Sequence, residues 1–303
     1  MASKKSTWPV FQFNESKDTI SLLHLWIQIV GKVKLKKSPW QNHSWHGALH
    51  VNYQGLTTNS IPYENGIFEI MFDFIHHELK IKTSSGTRDR FSLGGQTVAS
   101  FYEMLMEKLE FLGIEVTIDD MPEEVIGAIP FSKNTKKVPY QANEVQKFWK
   151  VLVHTQNVLT NFRSGFIGKQ SPVHFFWNSF DLSYSRYSGK PISSPENTEG
   201  ENDLNAQEVF NVGFMPGNLT FPNPCFFTQL KPTLPSIKDQ KVSPEAAEWK
   251  DELDRFILPY DVVQKSDSPK ETLLSFLQSS YEACANLAEW NRKELEANRA
   301  NEI

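Results

Sequence analysis

The chain has 303 residues, 39% of them apolar and 22% charged, with 22 Phe and 8 Trp, which excludes global disorder and supplies ample material for a buried core. That length fits two small domains or one large single-core domain, and so many rings must fill a core or line concave surface. The formal charge of -5 leaves no overall basic field, which argues against general binding to a nucleic-acid backbone while leaving a local basic pocket open.

Cys225 and Cys284 lie far apart and outside any C-x-x-C spacing, so neither a disulfide framework nor a thiolate zinc site is expected. The first residues run into Trp8-Pro9 without an apolar stretch suited to a signal peptide. A cytoplasmic protein with no membrane partner is the expectation.

The spacing predicts a helix over 16–37, where Leu22, Leu23, Trp26, Ile27, Val30 and Val33 recur at intervals of three and four and cover most of the circumference. His24, Gln28 and Lys32 interrupt it, and it is too short to span a bilayer. Ser38-Pro39 ends it, because a residue before proline is pushed out of the α region. A strand is expected over 44–53, then half-buried strands over 68–74 and 79–83 where apolar and polar residues alternate, with turns at Asn65-Gly66 and Ser85-Gly86. A helix over 97–112 presents Val98, Phe101, Leu105 and Leu109 on one face and stops at Gly113. A connector over 119–141 leads to a second long helix, 143–163, and an aromatic, strand-like run, 173–187. The polar segment 188–205 reads as a surface loop, followed by weaker strands over 209–215 and 224–230. Two closing helices are expected, opened by Ser243-Pro244 and Ser268-Pro269, with Ser268 and Glu271 forming a capping box.

Two halves, 1–140 and 141–303, share an order: long helix, Gly-Lys (Gly31-Lys32, Gly168-Lys169), Ser-Pro (Ser38-Pro39, Ser171-Pro172), His, Trp, strands, helix. Duplication of one helix-strands-helix unit accounts for this, and so does coincidence, since Ser-Pro is a common helix stop. The expected fold is α+β: antiparallel sheet packed by long helices, two tightly joined halves around one core, and a cleft where the two Gly-Lys/Ser-Pro segments meet.

His24-Leu25-Trp26 with Gln28, Ser38-Pro39-Trp40, Asn42-His43, Trp45-His46 and Gly55-Leu56-Thr57-Thr58 form one set of distinctive strings. Gly165 to Lys169, Ser171 to Trp177, Ser179 to Leu182 and Arg186 with Ser188-Gly189 form another. On these the sequence resembles, over nearly its whole length, an uncharacterised family, domain of unknown function 5996. The resemblance brings no activity, cofactor or catalytic residue with it.

His24, Gln28 and Lys32 lie one helical turn apart and form a narrow polar stripe that faces either water or a polar cavity. Just beyond that helix come Trp40, Asn42, His43, Trp45 and His46, imidazoles and indoles suited to holding a planar or anionic ligand. A second group is Arg163, Lys169, His174, Trp177, Asp181 and Arg186, in which the cations suit carboxylate or phosphate oxygens. His174 and His43 are the general acid-base candidates, with Asp181 as a partner fixing the tautomer of His174. On a regular strand His174 and Asp181 point to opposite faces, so that pairing needs a bulge or turn. An internal salt bridge with a core histidine explains the second group equally well.

Gly165 to Lys169 is not a P-loop, since Arg163 and Gln170 stand where that motif needs Gly and Ser or Thr. His43, His46, His50 and His174 raise the question of a metal, but on a turn entering a strand their spacing does not converge, and no metal is expected. The leading functional expectation is an enzyme or binding protein for a small anionic metabolite, held by Lys32, Arg163, Lys169 and Arg186 and stacked on Trp40, Trp45 or Trp177. A metal-dependent enzyme using the histidines, and a non-catalytic interaction protein whose rings are simply core, are the alternatives.

Overall fold

The first helix, α1 (Phe13–Lys37), carries apolar residues on nearly every side, and Leu23, Trp26, Ile27 and Val30 are fully enclosed. It stops at Ser38, extended at ψ 140 before Pro39, and its last turn holds Lys34, Lys36 and Lys37, favourable at the negative end of the helix dipole. The computed structural model describes residues 8–64, 66–192 and 207–297. Asn65 of one expected turn and most of the loop expected over 188–205 lie outside them.

The strand expected over 44–53 is not formed as such. Residues Asn42–Gly47 make a 3-10 turn in which His43 and Ser44 take left-handed backbone angles (φ 57 and 55), and only β1 (His50–Val51) is strand. Beyond it β2 (Gly55–Thr57) and β3 (Ile61–Tyr63) pair one after the other along β4 (Gly66–Asp73), followed by β5 (Glu78–Thr83) and β6 (Arg88–Ser92). These strands form an antiparallel sheet in the order β1-β2-β4-β5-β6, with β3 also on β4. Helix α2 (Val98–Phe111) follows, with Thr97 and Ser100 in a reciprocal capping box and Gly113 at φ +72 just past its end.

The second half opens with α3 (Ala142–Arg163). The run expected as one strand over 173–187 is two, β7 (His174–Phe176) and β8 (Asp181–Pro191), folded back through a turn with Phe180 at φ 56. With β9 (Gln207–Met215), β10 (Cys225–Lys231), β11 (Glu248–Lys250) and β12 (Arg255–Pro259) they form a second antiparallel sheet, ordered β11-β12-β10-β9-β8-β7. Helices α4 (Tyr260–Lys265), α5 (Pro269–Leu287) and α6 (Arg292–Leu295) close the described chain. No helix starts at Ser243-Pro244. Trp249 packs edge-on against Phe256, its cross-strand partner, at 5.1 Å, and the segment goes into the sheet edge instead. Pro269 does open α5, but Ser268 makes no side-chain cap, so the expected capping box is absent.

The two sheets meet edge to edge. Leu49 and Phe175 exchange both backbone hydrogen bonds, at 2.9 and 2.8 Å, in antiparallel register, so β1 lies beside β7 and each covers an edge of the other sheet. On one face, cross-strand rows such as Phe72, Leu79 and Phe91, or Leu182, Phe214, Phe226 and Leu258, pack under the helices. Phe101 of α2 stacks on both Trp26 and Phe72, Phe148 of α3 meets Phe175, and Tyr281 of α5 meets Phe210, within one apolar cluster that runs through both halves. The fold is α+β, antiparallel sheet packed by long helices. Opposite these rows, at the junction, His50, His174, Asp181 and Ser183 lie on the other face. Among the described residues no helix is long and apolar enough to cross a membrane.

Candidate functional site

The polar stripe of α1 is spent on the chain itself. His24 Nε2 donates to the carbonyls of Trp177 and Asn178 at 3.0 and 3.1 Å, and burial pulls its pKa down to about 4. Gln28 exchanges two 2.8 Å hydrogen bonds with the backbone of Glu123. Lys32 pairs with Glu123 at 2.8 Å and Asp119 at 3.2 Å. The stripe therefore fastens the 119–124 connector and the 177–178 turn onto the helix. Trp177 donates to Gly47 O at 3.0 Å and presses on Gly31, where a Cβ would lie 2.2 Å from its ring. Trp40 is exposed, and His46 Nδ1 accepts from Gln41 N–H at 3.1 Å, closing the 3-10 turn.

Arg186 lies on the core face of β8, 2% exposed, among Phe162, Tyr281, Phe166 and Tyr184, with its guanidinium carbon 3.6 and 4.3 Å from the first two ring centres. It donates to Phe162 O at 2.5 Å and to the Tyr184 hydroxyl at 3.3 Å. It is separated by the sheet from the residues that converge.

Those residues come from four parts of the chain. The loop 169–171 runs along β8, with Tyr187 N–H donating to Lys169 O and Ser171 N–H to Ser185 O, both at 3.0 Å. This brings Lys169 Nζ within 2.9 Å of His43 Nε2 and 4.6 Å over the Tyr187 ring. His43 stacks on Tyr187 at 4.7 Å and adjoins Trp45 at 5.2 Å, and Trp45 reaches His174 at 6.0 Å. His174 meets His50 edge to face at 5.2 Å. Arg163, at the end of α3, spends its Nε on Ser171 O at 3.1 Å. Lys34 of α1 donates to Ala48 O.

The two segments that follow the long helices thus meet. The profile of a family of unknown function, DUF5996, matches residues 8–297. The chain belongs to that family. No curated protein and no solved structure matches it.

In this DUF5996 protein the electrostatics of the cluster are cationic. Burial, then the charge of Lys34, hold His50 down to about 3 and His174 to about 4, with His174 and Arg163 respectively adding to the effect. Burial also brings Lys34 down to about 8. Among the described residues no carboxylate lies within ion-pair distance of Lys34, Arg163 or Lys169. His174 is 2% exposed, and its Nδ1 is one of six buried side-chain polar atoms that have no hydrogen-bond partner among the described residues.

Asp181 reaches the same sheet face as His174 because the 177–180 turn folds the run back, pairing Phe176 with Asp181 and His174 with Ser183. Its carboxyl takes hydrogen bonds from Ser179 and Ser183 and none from His174, and burial pushes its pKa up. Among the described residues no three His, Cys, Asp or Glu side chains are grouped to hold a metal. A separate groove of about 610 Å³ beside residues 10–14 and 221–225 holds none of the candidate ligand-binding or catalytic residues, and its Lys250 and Lys265 pair with Glu248 and Asp261.

Sequence reasoning missed Lys34 and Tyr187 and weighed His50 only as a metal ligand. Tyr187 had a usable signal, being next to Arg186 and on the opposite face by strand alternation. Lys34 had none, since three further lysines surround it in 32–37.

Proposed function

We propose that the DUF5996 fold binds a small anionic metabolite in the cleft formed by Lys34, Arg163, Lys169, His43, His50 and His174, with Trp45 and Tyr187 as its aromatic wall. The observation that carries this reading is the convergence of three cations that no described carboxylate balances. Lys34 is buried and Arg163 and Lys169 are half-buried, so leaving their charge without a counter-ion is costly in proportion to that burial, and an incoming anion offsets the cost. The Nδ1 of His174, without a partner among the described residues, supports the same reading, because a ligand oxygen reaching it would supply the missing hydrogen bond.

We assign the protein to the cytoplasm. Cys225 and Cys284 are buried free thiols pushed up to about 12 by burial, and such unpaired thiols suit a reducing compartment. We also read the two halves as copies of one unit, supported by the repeated order of long helix, antiparallel strands and closing helix.

The test is calorimetric titration of the full chain with phosphate, and with sulfate, against sodium chloride at matched ionic strength. Saturable binding is expected, weakened in Lys169→Ala about ten- to a hundredfold by loss of one charge-assisted hydrogen bond of about 1.5–3 kcal/mol. Heats no different from those of sodium chloride would overturn the reading. Native mass spectrometry of protein purified from cells identifies the physiological ligand.

A further inference from the structure

Resting on the anion-site reading above, we propose that the cleft takes up a proton together with its ligand, on the His50–His174 pair, and so selects doubly charged oxyanions and binds them more tightly as the pH falls.

The geometry begins with the junction of the sheets. Because Leu49 and Phe175 bridge in antiparallel register, His50 and His174 occupy facing positions on the adjoining strands and project to the same side. Their rings stand edge to face at 5.2 Å, 75° apart, and His174 is boxed in by Phe176 at 5.7 Å and Trp45 at 6.0 Å. The strand pairing holds the two backbones side by side, so a proton on one ring is felt by the other. The partnerless Nδ1 of His174 leaves a position where an N–H of the protonated ring would have only a ligand to bond.

The charges around the pair decide when that proton arrives. From α1 the facing group is Lys34, and from the end of α3 it is Arg163. From the 3-10 turn come His43 and His46, and from the loop beside β8 comes Lys169, in contact with His43. From β8 come Tyr187 and Asp181, and the Asp181 carboxyl is already engaged by Ser179 and Ser183. Without an anion, a proton on His174 is added to the field of Lys34 and Arg163, and one on His50 to that of Lys34, and each is repelled. A bound anion reverses that field at both rings. What the anion does for the proton the proton must do for the anion, since linkage is reciprocal. A singly charged ligand offsets one of three cations, whereas a doubly charged one offsets two and draws the proton more strongly. The ligand class this favours is a phosphate monoester or a sulfate-like dianion over a monocarboxylate.

Sulfate is the probe, because it remains a dianion throughout the mildly acidic range and any proton taken up belongs to the protein. The full chain is titrated by calorimetry at about pH 7, where Lys34 is already charged, and at about pH 5.5, each in two buffers of different ionisation enthalpy. Sulfate is expected to bind about three- to tenfold tighter at the lower pH, with about half a proton or more taken up there and little at the higher pH. In His50→Asn/His174→Asn, which keeps polar side chains that do not titrate and leaves the cations in place, both the proton uptake and the pH dependence should vanish. Nitrate at matched ionic strength should bind more weakly than sulfate at both pH values.

Circular dichroism checks that the fold persists at the lower pH. Equal sulfate affinity at the two pH values without proton uptake overturns the inference and leaves the anion site standing. Persistence of uptake in the double variant also overturns it, since another group would then carry the proton. Nitrate binding as tight as sulfate overturns the dianion preference. Absence of sulfate binding to the wild type at either pH overturns the inference and the sulfate-binding expectation of the anion site together. Should the double variant fail to fold, His50→Asn alone and the paired buffers on the wild type decide.

Discussion

Replacing Arg186 with alanine removes a guanidinium that is 2% exposed, stacked 3.6 Å from the Phe162 ring centre and 4.3 Å from that of Tyr281, and bonded to Phe162 O. The bond to the carbonyl is worth about 1.5–3 kcal/mol as a hydrogen bond from a charged group. Cation–π contact in this dry setting adds about 2 kcal/mol, and the apolar stem and the cavity left behind add more. Against this, the variant no longer buries a charge, a penalty of several kcal/mol. The net expectation is a loss of about 3 kcal/mol, which for a chain of this size lowers Tm by about 5 °C. Arg186→Lys keeps the charge but not the planar stacking surface, and should fall between alanine and wild type. Lys169→Ala, by contrast, removes a half-buried cation with no described counter-ion and should shift Tm by less than about 2 °C. Thermal melts of the ligand-free proteins provide the assay. An Arg186→Ala variant melting within about 1 °C of wild type, or an equal drop for Lys169→Ala, would refute the division between a structural and a ligand-facing cation.

Acid should destabilise the fold early. His24 and His174 are held at about 4 and His50 at about 3, below the unfolded value, so the unfolded chain binds more protons below about pH 6.5 and stability present above that pH drains away as pH falls toward about 4. About 2 kcal/mol per histidine should be gone by about pH 5, and a urea midpoint unchanged between about pH 7 and 5 would contradict the burial of these rings. Gly31→Ala should destabilise by about 2 kcal/mol despite alanine's better helix propensity, because the new Cβ lies 2.2 Å from Trp177. A variant more stable than wild type in urea would show that Trp177 can move. Thr97→Ala should cost about 1 kcal/mol by removing one arm of the capping box at α2, read from the same titration.

The elements legible in the sequence are those set by local physics. Helices α1, α2, α3 and α5, strands β4 and β5, and the stops at Ser38-Pro39 and Gly113 follow from apolar periodicity, proline sterics and glycine's tolerance of positive φ, which act within a few residues. Short strands such as β1, β2 and β3 carry too few residues for a period to register, and they exist because neighbours supply their hydrogen bonds. The candidate site was legible as two groups of residue types but not as a membership. His24, Gln28 and Lys32 look like a ligand stripe in one dimension, yet the connector at 119–124 satisfies Gln28 and Lys32, and the carbonyls of Trp177 and Asn178 take the bond from His24. Arg186 and Lys169 are equivalent cations in the sequence, and the strand's alternation sends one into the aromatic core while the loop beside β8 holds the other against His43. Long-range contacts assign these roles, because a buried charge or imidazole takes its function from partners distant in sequence, and the pairing of Leu49 with Phe175 brings His50 beside His174.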